Sequence, residues 1–289
     1  MAITLVTGTS TGIGLAIAIA LARAGQQVYA TMRNPDRAPE LASTAAKENL
    51  SITILPMDVD DDASVGKAVA QVTASGGLID VLVNNAGIAV TGPVEELPLT
   101  EFRRVMETNY FGALRCIQAV LPGMRERCNG HIVNVSSIQG RTSVPSYAAY
   151  AASKWALEAA SEALAQEVKC FGIKVSIVEP GMIATTVWDK RRKVPTATHY
   201  PQERRVHALV DASLKQLPVS PSVVADKIVE IVQGKTWKLR HPVGPDAEPF
   251  LQYRAAMTDE QWVDLQSVES DEEWLATVKR NFGLDVDLS

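Results

Sequence analysis

The first 180 residues or so alternate between short runs rich in β-branched apolar residues and longer stretches rich in alanine and leucine. This alternation is typical of βαβ units, in which a helix connects two parallel strands. Several runs are apolar at consecutive positions, as expected for strands that helices cover on both faces. We therefore predict an α/β fold, a doubly wound parallel sheet with strands over 3–7, 27–31, 51–57, 81–84, 130–136 and 174–179.

The longer stretches predict helices over 12–24, 63–75, 100–127 and 147–170, with another over 221–233. Gly25 and Gly172 stand where helices should end, since glycine adopts the left-handed cap conformation without steric cost. After Pro180 the pattern is less regular. No linker or repeat indicates a second domain, so we expect one domain.

Composition and charge exclude several classes of protein. The 289 residues are 46% hydrophobic, which is enough to bury a core, and the net charge of −5 leaves no basic stripe for nucleic acid. The three cysteines, Cys116, Cys128 and Cys170, are scattered and odd in number, which argues against a disulfide framework or a zinc site. We expect no metal, no membrane span and a cytoplasmic location.

A glycine-rich turn follows the first predicted strand and leads directly into the first predicted helix. It reads TGTSTGIG over 7–14, with GxxxGxG spacing. Glycines there would let the backbone approach a pyrophosphate, and a helix N-terminus supplies free N–H groups with a partial positive charge. A tight connection without a ligand has a similar composition. The candidate phosphate-binding residues are Gly8, Ser10, Thr11, Gly12, Ile13 and Gly14.

The end of the second predicted strand bears on the choice between NAD and NADP. In doubly wound folds a carboxylate there binds the 2′-hydroxyl of NAD, whereas a basic residue accommodates the 2′-phosphate of NADP. The sequence offers Arg33 and no carboxylate, which favours NADP(H) over NAD(H), although a solvated loop arginine would look the same. Asp58 and Val59 follow the third strand and are placed to meet the adenine, but an acidic strand-end cap is the alternative interpretation.

The motif YxxxK over 150–154 places Tyr150 and Lys154 on one face of a predicted helix. A phenol is a poor base at neutral pH, but a nearby positive charge favours the phenolate and lowers its pKa. Such a pair can exchange a proton with an alcohol or a carbonyl compound. An isolated YxxxK would more often be a chance pairing on an amphipathic helix, so its companions decide the interpretation.

Three companions of YxxxK are polar groups near strand ends or within a helix. Ser137 closes a predicted strand, where a hydroxyl can stabilise charge on a substrate oxygen. The run NNAG over 84–87 ends another strand and would allow a cofactor close to Ala86 and Gly87. Asn109 interrupts an apolar helix, which makes it a structural network residue or part of a proton path. Alone, each has a structural explanation.

These motifs, in this order, resemble the short-chain dehydrogenase/reductase family: TGxxxGIG, NNAG, Asn109, Ser137, YxxxK and a PG pair at 180–181. The resemblance covers roughly 1–186 and implies a Rossmann-type fold. It implies that Tyr150 is the acid/base, that Ser137 orients the substrate oxygen and that Asn109 holds a water of a proton relay. Lys154 would bind the nicotinamide ribose and lower the pKa of Tyr150. The other implied cofactor contacts are Asn85, Ala86, Gly87, Tyr150, Pro180, Gly181, Ile183 and Thr185.

The segment 28–33 resembles the branch that includes 17β-hydroxysteroid and retinol dehydrogenases, whose substrates are often large and apolar. By this resemblance, 1–185 form the cofactor-binding and catalytic core, and 186–289 a substrate lid and C-terminal extension. The basic run 190–193 would be a solvated face of the lid, and 240–245 a late strand on which His241 is structural. His207 is a weak candidate for a substrate contact. A homodimer or homotetramer is expected.

The leading hypothesis is an enzyme that interconverts an alcohol and its carbonyl, with NADP(H) as the hydride carrier. A non-catalytic dinucleotide sensor on the same fold is the alternative, although a sensor has no chemical need for the Ser137, Tyr150 and Lys154 set. A sugar-nucleotide epimerase or dehydratase uses similar YxxxK chemistry, but the GxxxGxG spacing disfavours it.

Overall fold

A computed structural model describes residues 1–188 and 198–288. Within these residues seven strands form one parallel sheet in the order β3-β2-β1-β4-β5-β6-β7. The strands are β1 (Ile3–Thr7), β2 (Gln27–Met32), β3 (Ile52–Pro56), β4 (Val81–Asn84), β5 (Gly130–Val135), β6 (Ile173–Pro180) and β7 (Arg240–Val243). The helices are α1 (Gly12–Arg23), α2 (Pro39–Lys47), α3 (Asp62–Gly76), α4 (Leu99–Met106), α5 (Gly112–Glu126), α6 (Ala148–Val168), α7 (Pro201–Gln216), α8 (Ser222–Gln233), α9 (Ala247–Ala255), α10 (Asp259–Gln266) and α11 (Asp271–Phe282).

The strand order reverses between β1 and β4, because the chain builds the sheet outward first on one side of β1 and then on the other. In open α/β sheets, ligands bind in the crevice at the carboxyl ends of the strands beside such a reversal. In register across the sheet, Thr7 pairs with Thr31, and Asn84 pairs with Asn134. The segments that follow these strands therefore meet along one edge.

Helices cover both faces of the sheet. On one face, Ile17 and Leu21 of α1 and Ile228 of α8 pack in a core with the strand residues Val6 and Val83. On the other face, α3, α5 and α6 form the second core, whose buried side chains include Val72, Met124 and Val168. This arrangement confirms the predicted doubly wound α/β fold and explains why the central strands are apolar at consecutive positions.

The predicted elements up to Pro180 agree with the structure to within one or two residues at each end. The long helix expected over 100–127 is α4 and α5 joined by a π-helical turn, Glu107–Phe111. The late strand expected over 240–245 is β7. Helices α2, α7, α9, α10 and α11 were not predicted, and the run 190–193 lies outside the described residues. In the part of the chain that the structure describes, no helix is both long and apolar enough to span a bilayer.

Candidate active site

The glycine-rich turn after β1 is packed too tightly for side chains at two positions. A Cβ on Gly14 would lie 2.2 Å from the carbonyl oxygen of Gly8 and 2.4 Å from Nδ2 of Asn85. Gly8 has a φ of 71°, and a Cβ there would lie 2.7 Å from the Cα of Ala86. The glycines therefore let the turn close on itself and on the segment after β4.

Thr7 and Asn85 join the ends of β1 and β4. The Thr7 hydroxyl oxygen accepts hydrogen bonds from the backbone N–H groups of Asn85 (3.0 Å) and Ala86 (2.9 Å). In return, the Asn85 amide donates to the carbonyl oxygens of Thr7 (2.9 Å) and Gly8 (3.1 Å). The NNAG segment is thus fixed against the glycine-rich turn. Thr7 was part of the quoted motif but not a predicted site residue.

The N-terminus of α1 opens at this turn. Thr11 precedes the helix in an extended conformation, and its side chain makes no capping hydrogen bond to any described residue. Partly buried Ser10 and Ile13 flank it, and no acidic residue occupies the first turn. Opposite, a Cβ on Gly12 would lie 3.3 Å from the Cβ of Thr185. Uncapped N–H groups at a helix N-terminus fit an anionic pyrophosphate.

Arg33 is exposed directly after β2, two positions beyond the residue that pairs with Thr7. The pKa of Asp60 is raised overall, mainly by burial. A hydrogen bond from Thr108 and the positive charge of Arg33 act in the opposite direction. Arg33 therefore places a positive charge at the end of β2, on the same edge of the sheet as the end of β1.

Asp58 and Val59 lie between β3 and α3. Oδ1 of Asp58 accepts a hydrogen bond from the backbone N–H of Asp60 (3.1 Å), whereas the cap of α3 is Asp61, whose Oδ1 accepts from the Ser64 N–H (2.6 Å). Asp58 is therefore not the helix cap. Val59 is buried against Gly112 of α5.

Tyr150, Ser137 and Lys154 come together at the carboxyl end of β5. Burial raises the pKa of the Tyr150 phenol, and a hydrogen bond with the Ser137 side chain opposes that shift. Lys154 Nζ lies 5.8 Å from the centroid of the Tyr150 ring and donates to the carbonyl oxygen of Val135 (2.9 Å). Burial lowers the Lys154 pKa to about 8, while the charge of Glu158 raises it. A proton donor, a hydroxyl and a buried cation therefore share one small region.

Asn109 lies in the π-helical turn between α4 and α5 and is fully hydrogen bonded. Its amide exchanges two hydrogen bonds with the backbone of Ile88, at 2.8 and 2.9 Å, and donates to Ser153 Oγ at 2.9 Å. Gly87 is adjacent, since a Cβ there would lie 3.2 Å from Asn109 Oδ1 and 3.7 Å from Lys154 Nζ. The amide thus joins the NNAG segment to the helix that carries Tyr150. Ser153 escaped prediction, although it lies inside YxxxK.

The PG segment after β6 is held by Asp246, which precedes α9. Asp246 Oδ2 accepts a hydrogen bond from the backbone N–H of Met182 (2.7 Å), and a Cβ on Gly181 would collide with the same carboxylate. From there the chain passes buried Ile183 and reaches Thr185 opposite Gly12. Asp246 could not be predicted, because its hydrogen-bond partner Met182 is 64 residues away in the chain.

Two histidines contact neighbours outside this cluster. His207 of α7 is within 3.1 Å of the hydroxyl of Thr91, which follows the NNAG segment, and His241 Nε2 is within 2.9 Å of the Lys238 carbonyl oxygen. No group of three or more potential metal ligands is found within 1–188 and 198–288.

Comparison with known proteins shows the family of this chain. The family model described as short chain dehydrogenase matches residues 2–195. The chain is 43% identical over 244 residues to retinol dehydrogenase 8 of Bos taurus. This match covers 81% of this chain and 77% of that protein. It is also 36% identical over 253 residues to 3-ketodihydrosphingosine reductase of Bacteroides thetaiotaomicron, with 84% and 88% of the two chains covered.

Among solved structures, a short-chain dehydrogenase from Streptomyces avermitilis superposes with a TM-score of 0.78 and 35% sequence identity, covering 96% of this chain and 98% of the other. The matched region contains the glycine-rich turn and the whole of the Ser137, Tyr150 and Lys154 cluster. The chain therefore belongs to the short-chain dehydrogenase/reductase family, as an oxidoreductase of the retinol dehydrogenase-like kind.

Proposed function

We propose that this oxidoreductase uses NADP(H) to interconvert a secondary alcohol, or a primary alcohol, and its ketone or aldehyde. The observation that carries the proposal is the hydrogen bond between Tyr150 and Ser137, with the buried Lys154 ammonium nearby. A non-catalytic dinucleotide sensor would have no use for a proton donor that is positioned in this way.

Each of the three residues has a distinct task in this proposal. Because burial raises the pKa of Tyr150, the phenol is protonated at neutral pH and can donate its proton to a carbonyl oxygen. Ser137 holds the same oxygen by a hydrogen bond, and Lys154 supplies positive charge when the phenolate forms. Asn109 holds the surrounding segments in place. The nicotinamide, when bound, supplies or accepts the hydride.

The residues along the sheet edge fit a dinucleotide. The uncapped N-terminus of α1 would hold the pyrophosphate, together with the backbone from Gly8 to Gly14. Asp58 and Val59 would border the adenine, and the segments at 85–87 and 180–185 would border the nicotinamide. Arg33 would bind the 2′-phosphate, which distinguishes NADP from NAD.

A large apolar substrate is part of the proposal. A depression of about 420 Å³ is lined mainly by apolar atoms, including those of Val94, Pro145 and Trp262. One of its walls, at Ser143 to Ser146, leads directly into the helix that carries Tyr150. Two relatives are named for retinol and for 3-ketodihydrosphingosine, which supports a lipid-like alcohol or ketone.

The proposal also covers the division of the chain, its oligomeric state and its location in the cell. Residues 1–185 would form the cofactor-binding and catalytic core, and 186–289 the substrate lid and C-terminal extension of a single domain. The exposed Phe111 and Trp155, on or beside the long helices α5 and α6, are suited to pairing in a homodimer or homotetramer. A cytoplasmic location fits the exposed free thiols of Cys128 and Cys170.

The test is titration of the purified protein with NADPH and NADH, followed by turnover of long-chain and cyclic apolar ketones and aldehydes. NADPH should bind more tightly, and Arg33→Ala should weaken its affinity about tenfold, equivalent to about 1.4 kcal/mol. NADH affinity should stay unchanged in that variant. Arg23→Ala is the matched control, since Arg23 is also exposed but pairs with Glu48 at the far end of α1.

Tighter binding of NADH than NADPH, or equal effects of Arg33→Ala on both, would contradict the role of Arg33. Tight binding of either dinucleotide without turnover of any carbonyl compound, whatever its size, would favour the sensor hypothesis instead.

A further inference from the structure

Two carboxylates lie buried behind Tyr150 and Lys154. Glu158 follows Lys154 by one helical turn on α6 and is 3% exposed, while Glu179 is fully buried at the end of β6, directly before Pro180. Buried glutamates are rare unless they are paired, so their surroundings decide what they do.

One guanidinium nitrogen serves both carboxylates. Nε of Arg240 on β7 lies 3.1 Å from Glu158 Oε2 and 3.6 Å from Glu179 Oε1. Arg141 adds a contact of 3.4 Å from its Nη1 to Glu179 Oε1, but its side chain is 47% exposed. The two acids are therefore neighbours within one site, and the cations that compensate them are partly in solvent.

Each carboxylate also has one oxygen without a partner. Glu158 Oε1 and Glu179 Oε2 are buried and make no hydrogen bond to any described residue, and neither does the nearby Ser136 Oγ. The space around Glu158 Oε1 and Ser136 Oγ is tight, because a Cβ on Gly140 would lie 2.7 Å from Glu158 Oε1 and 2.6 Å from Ser136 Oγ. Protonation converts one acceptor into a donor and relieves the repulsion between two like charges.

The electrostatics of Glu179 agree with this geometry. Burial, followed by the negative charge of Glu158, raises the Glu179 pKa to about 7, although Arg141 and Arg240 act in the opposite direction. Glu158 in turn raises the pKa of Lys154, against the burial that lowers it. The charged groups that face the pair from neighbouring elements are Lys154 and Glu162 of α6, Arg141 after the Ser137 turn, and Arg240 of β7.

We propose that Glu158 and Glu179 hold one proton between them at neutral pH, and that Glu158 is the positioning residue that keeps Lys154 charged. The pair thereby connects the Ser137 turn, the Tyr150 helix and the strand that leads to Pro180. The shared proton does not depend on the proposed function. Only the effect of the Lys154 charge on turnover rests on that function.

The primary test reads protonation directly, without turnover. The full-length protein is labelled with ¹³C at glutamate carboxyls and lysine Cε, and both are titrated by NMR. One glutamate should titrate near pH 7, and its signal should be lost in Glu179→Gln. In Glu158→Gln, the Lys154 pKa should fall by about one unit, as expected for removing a charge one helical turn away in a partly screened interior.

Glu162→Gln is the matched control. Glu162 also contacts Arg240 (2.7 Å), but it lies one turn farther from Lys154 and is 53% exposed. Its substitution should leave the Lys154 titration in place. Glu158→Asp keeps the negative charge, so the Lys154 pKa in this variant should stay close to its wild-type value. The absence of any glutamate that titrates near neutral pH, or equal Lys154 shifts in Glu158→Gln and Glu162→Gln, would overturn the proposal.

The kinetic consequence is a separate readout. If the wild-type enzyme is active, the alkaline limb of the kcat–pH profile should lie at lower pH in Glu158→Gln than in the wild type. In Glu162→Gln it should stay where the wild type has it. If the wild type shows no turnover, the proposed function fails, but the NMR titration still decides whether the pair exists. If the NMR shift of Lys154 occurs without a kinetic shift, the positioning role is wrong.

Discussion

Gly14 shows how strongly one residue can constrain the site. Alanine there would place a methyl group against the Gly8 carbonyl oxygen and the Asn85 amide, both of which are held by hydrogen bonds. We expect Gly14→Ala to weaken dinucleotide binding at least about tenfold and to reduce stability by about 1–3 kcal/mol. Isothermal titration with NADPH and urea unfolding would measure both quantities.

The matched control for that change is Gly66→Ala. Gly66 lies inside α3, and a Cβ there meets no described heavy atom within 4 Å. Alanine should leave binding unchanged and stabilise the helix by about 0.5–1 kcal/mol. Equal effects of the two substitutions would show that the tight contact at Gly14 has no bearing on the cofactor site.

His131 gives the protein a pH dependence outside the active site. It is buried on β5 within 3.0 Å of Ser176 Oγ, and burial lowers its pKa to about 4 from the ordinary 6.5. As the pH falls below about 6.5, His131 is therefore protonated in the unfolded chain but stays neutral in the folded chain. The stabilisation is complete above that pH and is lost as the pH falls towards 4, amounting to about 3 kcal/mol.

His131→Asn removes the titrating group and keeps a polar partner for Ser176. The variant should therefore lose less stability than the wild type between pH 6.5 and 4. Urea unfolding at several pH values within this range measures the difference. Parallel curves for the two proteins would contradict a neutral buried imidazole.

The candidate catalytic residues could be predicted from the sequence because their spacing carries the information. Tyr150 and Lys154 are four residues apart and therefore share one face of any helix that contains both. Ser137 directly follows an apolar strand. The contacts of Gly12 with Thr185 and of Met182 with Asp246 were not readable, since each joins residues far apart in the chain. Only the sheet topology brings them together.

At the scale of elements, the predictions succeeded where a strand is buried on both faces. β1 and β4 have their predicted bounds because their buried apolar or β-branched runs, five residues in β1 and three in β4, have no competing interpretation. The helix over 100–127 was correct in extent, but its π-helical turn was not foreseen. That turn has a visible signal in Asn109, whose amide needs partners that a regular apolar helix does not offer.

The missed helices lie mostly after Pro180, where the apolar spacing is weak. Their signals are at the ends instead: Thr258 and Gln261 form a capping box on α10, and Ser270 caps α11 ahead of three acidic residues. Lys279 and Arg280 complement the other end of α11. Caps and terminal charges would have found α10 and α11, whereas hydrophobic periodicity alone did not.

Helix α10 carries a prediction about substrate size. Its Trp262 donates a hydrogen bond from Nε1 to the carbonyl oxygen of Ser143 (3.0 Å), and Val263 lines the apolar depression while remaining 61% exposed. Val263→Glu should therefore reduce kcat/KM for a long-chain ketone about tenfold, because a charge would replace apolar contact area, and should leave a small ketone unaffected.

Leu217→Glu is the control for this change, as Leu217 is similarly exposed (57%) but does not line the depression. Steady-state kinetics with the two ketones would separate the outcomes. Equal losses for long and short substrates, or equal effects at both positions, would mean that the depression does not hold the substrate.

At the scale of the whole molecule, the site is assembled from segments that are distant in sequence. The glycine-rich turn, the NNAG segment, Ser137, the Tyr150 helix and the PG segment each follow, or pack against, the carboxyl end of a central strand. A parallel sheet with its reversal at β1 and β4 is what makes them neighbours. This explains why the ordered set of motifs predicted the family, which the comparisons confirm, while no single motif was sufficient.

Proton transfer by Tyr150 in an NADP(H)-dependent reaction can be tested with the substitution Tyr150→Phe. At saturating NADPH, single-turnover oxidation of the bound cofactor by an apolar ketone should slow by at least about a hundredfold in this variant. Tyr253→Phe, which alters a hydroxyl bonded to Asn281 on the outer helices, should match the wild type. A Tyr150→Phe protein that retains the wild-type rate would show that Tyr150 is not the proton donor.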